Sequence, residues 1–529
     1  MADIDDLKAK FAAGALSRRQ FMNAALAAGV SASALGTVWP DPAKAAPQKG
    51  GHFKVGISGG STSDSLDPGS FSDNFMQCVG HAIHNYLTEV TPEGELIGEL
   101  ATEWDATPDA RTWTFKLRQG VTFHNGKSVE ADDVIASLNH HRGEESKSAA
   151  KPIVKQIESL EAPDAKTVVV TLAQGNADFP FLMSDYHLPV MPASDGKVDP
   201  TNGIGCGAFA LDAFDPGLKV SVKRNPDYWK SDRGWFDRVT FTVIKDVAAR
   251  QNALTTGEIH AMNRVDLKTI HLLKRHPEVE VAAITGGQHY TAPMITTAEP
   301  FTDNNVRLAV KHAINRQEIL DKILQGYGSL GNDHPISPSY RYYADLPQRG
   351  YDPDKAKHHL KKAGMDSLDV NLSASDAAFG GAVDAAVLMK EHAQPAGINI
   401  NVVREPADGY WSNVWGKKPW CMSYWGGRPT ENWMFSIGYA EGAAWNATKW
   451  SHERFNKLLA ESRAELNQEK RAEMFAEMQH LVRDEGGVVV PVFADYIDGV
   501  RKEIGHGKLA SNWDLDGLRL AERWWFKDA

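Results

Sequence analysis

The sequence predicts an α/β protein with two lobes, and three observations lead to this fold class. The chain has 529 residues, more than one hydrophobic core usually organises. Near its beginning, residues 52–58 alternate apolar and polar side chains with the period of a β-strand. Further on, apolar segments at 370–372 and 398–403 enclose a helical segment at 379–396. That β-α-β pattern indicates a second α/β lobe.

The N-terminal segment predicts export. Arg18 and Arg19 precede a mildly apolar stretch that begins at Ala24, and residues 43–45 form a small-x-small cleavage pattern. The apolar stretch, about 15 residues, is too short to span a bilayer. We therefore predict a twin-arginine signal peptide over residues 1–45 and a mature chain that works in the periplasm. The alternative is a chance Arg-Arg pair before a buried helix.

Composition excludes several classes of function. The net charge of −11 repels phosphate backbones, so no nucleic acid is expected as a partner. Cys78, Cys206 and Cys421 match no zinc spacing, and the 19 histidines are scattered. No metal and no cofactor are predicted. The three cysteines are interpreted as small buried apolar residues. The alternative is that two of them form a disulfide.

Turn and capping signals place the elements of the first half. Residues 59–65 form a Gly/Ser loop, and a helix is expected over 74–88. Apolar alternation across Gln119-Gly120 predicts a hairpin over 113–123. Further strands are expected at 168–172, 209–211, 220–222 and 241–244, with helices that start near Asp132 and Arg250.

The second half reads as helices between strands. Asp303 and Asp352 are predicted N-caps of two helices, and 455–484 reads as one long helix before an apolar strand at 488–493.

Three ordered motifs identify the family. They are residues 131–134 (Ala-Asp-Asp-Val), residues 225–229 (Asn-Pro-Asp-Tyr-Trp) and the run that begins at Asp303 with Val306, Arg307 and Ala309. With them, residues 50–529 resemble the family 5 solute-binding proteins of ABC importers, which include dipeptide-, oligopeptide- and nickel-binding members. The resemblance implies a type II periplasmic-binding-protein fold with a hinge between the lobes and an extra subdomain in lobe I. Lobe I would comprise 46–95, 215–290 and 494–529, the subdomain 96–214, and lobe II 291–493.

A cluster of aromatic residues falls in the predicted second lobe. Seven of the 15 tryptophans lie in residues 411–450. Rigid aromatic faces bind ring-bearing or apolar ligands with little loss of entropy. We expect two or three of them to line a cleft and the others to fill the core.

Residues 422–433 predict the chemistry of the ligand. In peptide-binding relatives, an aspartate of the corresponding stretch holds the ligand's α-ammonium group. This chain has no aspartate between Trp425 and Trp433, and Arg428 precedes the proline. Because a guanidinium pairs with a carboxylate, the expected ligand bears a carboxylate and is peptide-like, opine-like or a sugar-acid conjugate. Glu431 remains available for an ammonium group, and a structural Arg428–Glu431 pair is the alternative.

The predicted ligand-binding residues come from both lobes. Lobe II contributes Tyr424, Trp425, Gly427, Arg428, Glu431 and Trp433. From the first lobe, the loop Gly59, Gly60 and Ser61 and the turn Gly205 and Cys206 are expected to face the same cleft, where close backbone approach favours glycine. The alternative for these two segments is tight-turn geometry alone.

The predicted function is an extracytoplasmic receptor that is not an enzyme and that delivers its solute to an ABC permease. A separate ATPase is expected because the chain lacks a phosphate-binding Gly-x-x-x-x-Gly-Lys-Ser/Thr loop, and a monomer is expected. One alternative is a nickel-type receptor for a metal chelate. Another is an exported hydrolase that uses Ser58, since residues 56–60 match Gly-x-Ser-x-Gly, although the expected loop disagrees with a nucleophile elbow.

Overall fold

Strands and helices alternate through the part of the chain that the computed structural model describes, residues 47–407, 409–443 and 445–527. The predicted signal peptide lies outside these residues. Among the described helices, none has the length and apolar character needed to cross a membrane.

The elements up to residue 262 form the first lobe and its subdomain. The strands are β1 (His52–Ile57), β2 (Thr88–Val90), β3 (Leu96–Gly98), β4 (Ala101–Ala106), β5 (Thr112–Leu117), β6 (Ile157–Asp164), β7 (Thr167–Leu172), β8 (Ala193–Ser194), β9 (Lys197–Val198), β10 (Phe209–Asp215), β11 (Lys219–Arg224), β12 (Arg238–Val243) and β13 (Ala261–Met262), and the helices are α1 (Asn74–Ile83), α2 (Ala131–His140), α3 (Lys151–Val154), α4 (Phe179–Leu182) and α5 (Val247–Thr255).

The remaining elements cross into the second lobe and return. The strands are β14 (Val279–Pro293), β15 (Gly328–Leu330), β16 (Leu368–Ala374), β17 (Ile398–Arg404), β18 (Ser423–Trp425), β19 (Val488–Arg501), β20 (Ile504–Gly505) and β21 (Trp525–Phe526), and the helices are α6 (Ile270–Arg275), α7 (Asn304–His312), α8 (Arg316–Lys322), α9 (Pro353–Lys362), α10 (Ala382–Ala393), α11 (Tyr410–Asn413), α12 (Glu431–Gly438), α13 (Glu453–Ala464), α14 (Gln468–Glu485) and α15 (Leu520–Arg523).

A mixed sheet of nine strands connects the two lobes. Its order is β10-β11-β12-β1-β13-β19-β14-β18, and β15 pairs with β19. The predicted first strand is confirmed: β1 runs parallel to β12 and β13, and its Phe53, Val55 and Ile57 are fully buried. The antiparallel pair β14 and β19 is long enough to pass from one lobe to the other, with a register shift between Thr285 and His289.

The buried apolar residues form separate cores. One core collects β1, β10–β12 and the C-terminal residues up to Trp524, and another collects residues 87–206 around the sheet β4-β5-β7-β6. The core of the second lobe spans residues 292–494 and includes β16 and β17, which pair in parallel with α10 packed on them. The β-α-β prediction is confirmed, while the domain boundaries stay a prediction.

The hairpin predicted over 113–123 is wrong. β5 is hydrogen-bonded on one side to β4 and on the other to β7, so both of its edges are occupied. Val121 and Phe123 are buried in the subdomain core from an irregular segment. Their apolar alternation reflects burial and a short bridge between Thr122 and Ser128, not pairing with β5.

Two predicted helices are too long. α1 ends at Ile83, and Thr88 begins a strand. The segment 455–484 is two helices, because α13 ends at Ala464 and Asn467 caps α14 by accepting a hydrogen bond from the Lys470 amide. Within the described residues, the three cysteines are buried and free, as the apolar interpretation predicted.

Candidate functional site

A cavity lies between the lobes where β14 changes register. We call it the inner chamber and define it by five of its lining residues: His81 from α1, Tyr340 from the loop after β15, Arg428, Glu431 and Trp513. Its volume is about 90 Å³. Both lobes therefore contribute polar side chains to one small space.

A second cavity adjoins the first. This outer chamber has a volume of about 1020 Å³ and is lined by Trp104 and Trp113 of the subdomain and by Leu466 of the second lobe. Phe181 and Tyr340 line both chambers, so the two spaces share a wall.

Arg428 enters the inner chamber without a carboxylate partner among the described residues. Its Nη1 donates to the carbonyl oxygens of Gly426 and Gly427 at 3.2 and 2.9 Å, and its own amide donates to the Tyr340 hydroxyl at 2.8 Å. The guanidinium lies 5.4 Å from the Trp425 ring, a cation–π contact. Burial lowers the pKa of Arg428, but an arginine stays protonated. The chamber thus holds a cation whose charge no described acid neutralises.

Glu431 begins α12 and faces the same chamber. Thr430 caps the helix by accepting a hydrogen bond from the Trp433 amide, so Glu431 is the first residue of the helix. One carboxyl oxygen accepts a hydrogen bond from the Tyr342 amide at 2.6 Å. Burial raises the pKa of Glu431 to about 7. The alternative of an Arg428–Glu431 ion pair is wrong, because the structure gives the two side chains different partners.

A buried ion pair joins the subdomain to the second lobe beside this chamber. Asp178, which precedes α4, lies 2.8 Å from the guanidinium of Arg471 on α14, and both side chains are almost wholly buried. The Ala177 amide also donates to the Arg463 carbonyl at 2.6 Å. These contacts hold the two walls of the cavity together.

A cluster of buried carboxylates behind the chamber has the geometry of a metal site but is already neutralised. Glu89, Glu99 and Glu522 lie within reach of one ion. Lys230 approaches all three carboxylates at 2.6 to 2.9 Å, and Arg519 contacts Glu99 and Glu522 at 2.9 Å. These cations satisfy the acids, so the arrangement is a structural ion network.

The predicted first-lobe residues fall outside the lining of both chambers. The Gly60 amide donates to Asp73 at 2.8 Å, and its positive φ of 104° and a Cβ position 2.4 Å from Val243 require glycine. A Cβ on Gly205 would lie 2.1 Å from the Ile83 carbonyl. Cys206 is buried in the subdomain core. Gly59 and Ser61 belong to the same loop as Gly60, so packing accounts for both segments.

The lobe II residues divide between chamber and support. Gly427 lines the inner chamber with Arg428 and Glu431. Trp425 is buried in the second lobe, and its ring contacts the guanidinium of Arg428. Trp433 packs against the subdomain core. The side chain of Tyr424 is 42% exposed and contacts the ring of Trp411 edge to face.

Sequence reasoning missed several lining residues that come from segments distant in the chain. His81 is buried, and its Nδ1 has no hydrogen-bond partner in the described chain. Burial lowers its pKa far below the ordinary value, so the ring is neutral. Tyr186 and Trp513 stack edge to face 5.8 Å apart. No local pattern marks these residues, because the chamber forms only when segments hundreds of positions apart converge.

Ser58 does not have the setting of a hydrolase nucleophile. Its amide donates to Asn263 at 3.0 Å, and an irregular loop follows in place of the helix of a nucleophile elbow.

Comparison with known proteins identifies the family. Residues 95–447 match the model of the bacterial extracellular solute-binding proteins, family 5, middle region. The chain belongs to this family. It is 25% identical over 478 residues to di/tripeptide-binding protein 1 of Pseudomonas aeruginosa, which covers 83% of this chain and 88% of that protein. It is 28% identical to the glutathione-binding protein GsiB of Escherichia coli K12, over 59% of this chain and 61% of that one.

Solved structures agree with the fold. The ABC transporter substrate-binding protein CtaP of Listeria monocytogenes superposes with a TM-score of 0.78 at 19% identity, covering 91% of this chain and 100% of that one. The predicted two-lobed binding-protein fold is confirmed. As a member of family 5, the chain is a solute-binding receptor that works with an ABC permease and is not an enzyme. The hydrolase alternative is therefore set aside.

Proposed function

We propose that this receptor captures a small carboxylate-bearing solute of the peptide or opine type between its lobes, in the inner chamber. The observation that carries the proposal is Arg428, a cation that lines the chamber without an acidic partner in the described chain. A guanidinium held by two carbonyl oxygens and two aromatic rings still has donors free for a carboxylate.

Glu431 supports an ammonium group on the same ligand. Its carboxyl group is buried, lines the chamber and has a raised pKa, and a nearby cation would offset the cost of its ionisation. A ligand with both charges would satisfy both side chains. A sugar acid without an amine would leave Glu431 unused.

The named ligands of two relatives support an amino-acid-derived solute. One relative is described as binding di- and tripeptides and another as binding glutathione. A nickel-type chelate has weaker support here, because His81 is the single histidine in the described lining of the inner chamber.

The proposed mechanism is closure around the ligand. Arg428 and Glu431 belong to the second lobe, while His81 and Trp513 reach the chamber from the first. A ligand that touches both sets interacts fully only with the closed form, so binding shifts the population towards closure. We further propose twin-arginine export to the periplasm, action as a monomer and a separate ATPase in the importer.

A thermal-shift screen tests this function. The melting temperature of the purified mature chain is measured with dipeptides, tripeptides, opines, sugar acids and nickel. Each measurement is repeated with a chelator to reveal stabilisation that depends on a metal. We expect stabilisation by solutes that carry an amine and a carboxylate, about 2.7 kcal/mol at 100 times the dissociation constant. Stabilisation by nickel alone, abolished by the chelator, would favour the metal-chelate alternative.

A further inference from the structure

The two chambers differ greatly in size. The inner chamber, about 90 Å³, is well below the roughly 300–1,000 Å³ of cavities that enclose whole ligands. The outer chamber, about 1020 Å³, is as large as the cavities that enclose whole ligands, roughly 300–1,000 Å³. A ligand held by Arg428 and Glu431 therefore either is very small or continues into the outer chamber.

The inner chamber suits a compact, doubly charged group. Arg428 and Glu431 stand three positions apart on either side of the helix N-cap, and both face this space. A carboxylate and an ammonium group on one carbon atom present opposite charges within one compact group.

The outer chamber suits an uncharged body with a flat face. Trp104, Trp113 and Phe181 contribute aromatic surface, and Pro180 and Leu466 contribute aliphatic surface. Trp104 and Phe181 are half-buried, so part of each ring stays accessible.

The charges of the outer chamber balance one another. Its described lining has the acids Glu93 and Glu95 and the bases Arg341 and Lys508, and Lys508 lies 3.8 Å from Glu93. This space therefore has no net charge for a ligand to neutralise.

We propose that the receptor's ligand is an α-amino acid with a long side-chain conjugate: the amino-acid head binds Arg428 and Glu431 in the inner chamber, and an uncharged, preferably ring-bearing tail lies against Trp104 and Phe181 in the outer chamber. This inference rests on the proposed function and specifies its ligand class.

Isothermal titration of three probes tests the inference. Nε-acetyl-lysine and Nε-benzoyl-lysine share a free α-amino-acid head and differ in the size of the tail, and dialanine has no long tail. We expect the benzoyl compound to bind about tenfold more tightly than the acetyl compound, because burial of an aromatic ring adds that much affinity.

Variants locate the tail. Trp104→Ala should remove the tenfold preference, while Trp104→Phe should keep most of it. Leu466→Ala, at a second apolar residue of the same chamber, should also reduce the preference, and it replaces the first variant if that one does not fold. Trp411→Ala, an exposed tryptophan outside both described linings, is the matched control.

Each outcome decides a different claim. Equal binding of the two lysine derivatives, or a preference that survives both Trp104→Ala and Leu466→Ala, would overturn the inference. Binding of dialanine without either lysine derivative would also overturn it while the proposed function stands. Failure of these probes and of every amine-bearing carboxylate in the thermal-shift screen would contradict the proposed function itself.

Discussion

Arg428 and Glu431 show how two side chains near in sequence acquire separate roles. Arg428 folds back over the carbonyl oxygens of Gly426 and Gly427, and Glu431 is held by the Tyr342 amide of another loop. Because neither side chain neutralises the other, each keeps its charge chemistry available to a ligand.

Replacement of Arg428 is the first prediction. Arg428→Ala should weaken binding of a carboxylate-bearing ligand by about 2–5 kcal/mol, because the ligand's charge would be buried without its partner. Titration calorimetry measures the change. Arg454→Ala, which removes an exposed arginine paired with Glu477, is the control and should bind as the wild type does. Unchanged affinity in Arg428→Ala would remove this residue from the site.

Glu431 makes ligand binding depend on pH. Its pKa in the free protein is about 7, raised by burial, and an ammonium group stabilises the ionised form. Below pH 7 binding must release a proton, so affinity for an amine-bearing ligand should rise by up to about tenfold per pH unit towards 7 and then level off. Glu431→Gln should abolish this slope. A slope that persists in the variant would assign the titration to another group.

The same pKa predicts the stability of the free protein. A carboxyl group whose pKa is higher in the folded state binds more protons there than in the unfolded chain. The free energy of unfolding should therefore fall as pH rises from about 4.5 to about 7, and Glu431→Gln should flatten that part of the profile.

Residue chemistry was the easier part to predict from sequence. The arginine that replaces an expected acid in the segment 422–433 predicts an anionic ligand group by its chemistry alone. The partners of that segment could not be predicted, since Tyr340 lies 88 positions from Arg428. The sequence predicts Gly60 and Gly205 as ligand contacts because packing and ligand approach both demand glycine, and only coordinates distinguish the two causes.

At the scale of elements, β14 packs tightly against Gly427 and Tyr340 of the chamber wall at Gly287. A Cβ there would lie 2.9 Å from both the Gly427 Cα and the Tyr340 hydroxyl. Gly287→Ala should displace that wall at a cost of about 1–3 kcal/mol in stability and should weaken ligand binding. Chemical denaturation and calorimetry measure the two effects. Gly380→Ala, where the new Cβ meets no described atom within 4 Å, should change neither.

The loop before α4 and the helix α14 are joined by the Asp178–Arg471 pair. Asp178→Asn leaves Arg471 buried with its charge unpaired, so we expect a loss of about 3–5 kcal/mol in the free energy of unfolding. Glu477→Gln removes an exposed partner from the same helix and should cost less than about 1 kcal/mol. Urea denaturation compares them, and equal losses would contradict a special role for the buried pair.

Local patterns predicted elements well where pairing was also local. β16, α10 and β17 follow one another in the chain and were found from periodicity and turn residues. β5 instead pairs with β7, whose residues come more than 50 positions later, so its partner could not be inferred from adjacent apolar residues. The helix end before Asn467 could not be predicted, because helical periodicity continues on both sides of this cap.

The whole molecule is a family 5 receptor whose two lobes meet around a cavity of unequal chambers. The small chamber holds the unpaired cation Arg428, and the large one adds the aromatic surface of Trp104 and Trp113. The proposed capture of a ligand and its delivery to a permease both require that the ligand contacts the two lobes and binds Arg428.

A crystal structure of the mature chain with the amine-bearing carboxylate that stabilises it most tests this claim directly. We expect the ligand's carboxylate within about 3 Å of the Arg428 guanidinium, with other ligand atoms against His81 or Trp513 of the first lobe. A ligand bound elsewhere, or one that contacts a single lobe with Arg428 facing water, would contradict the account.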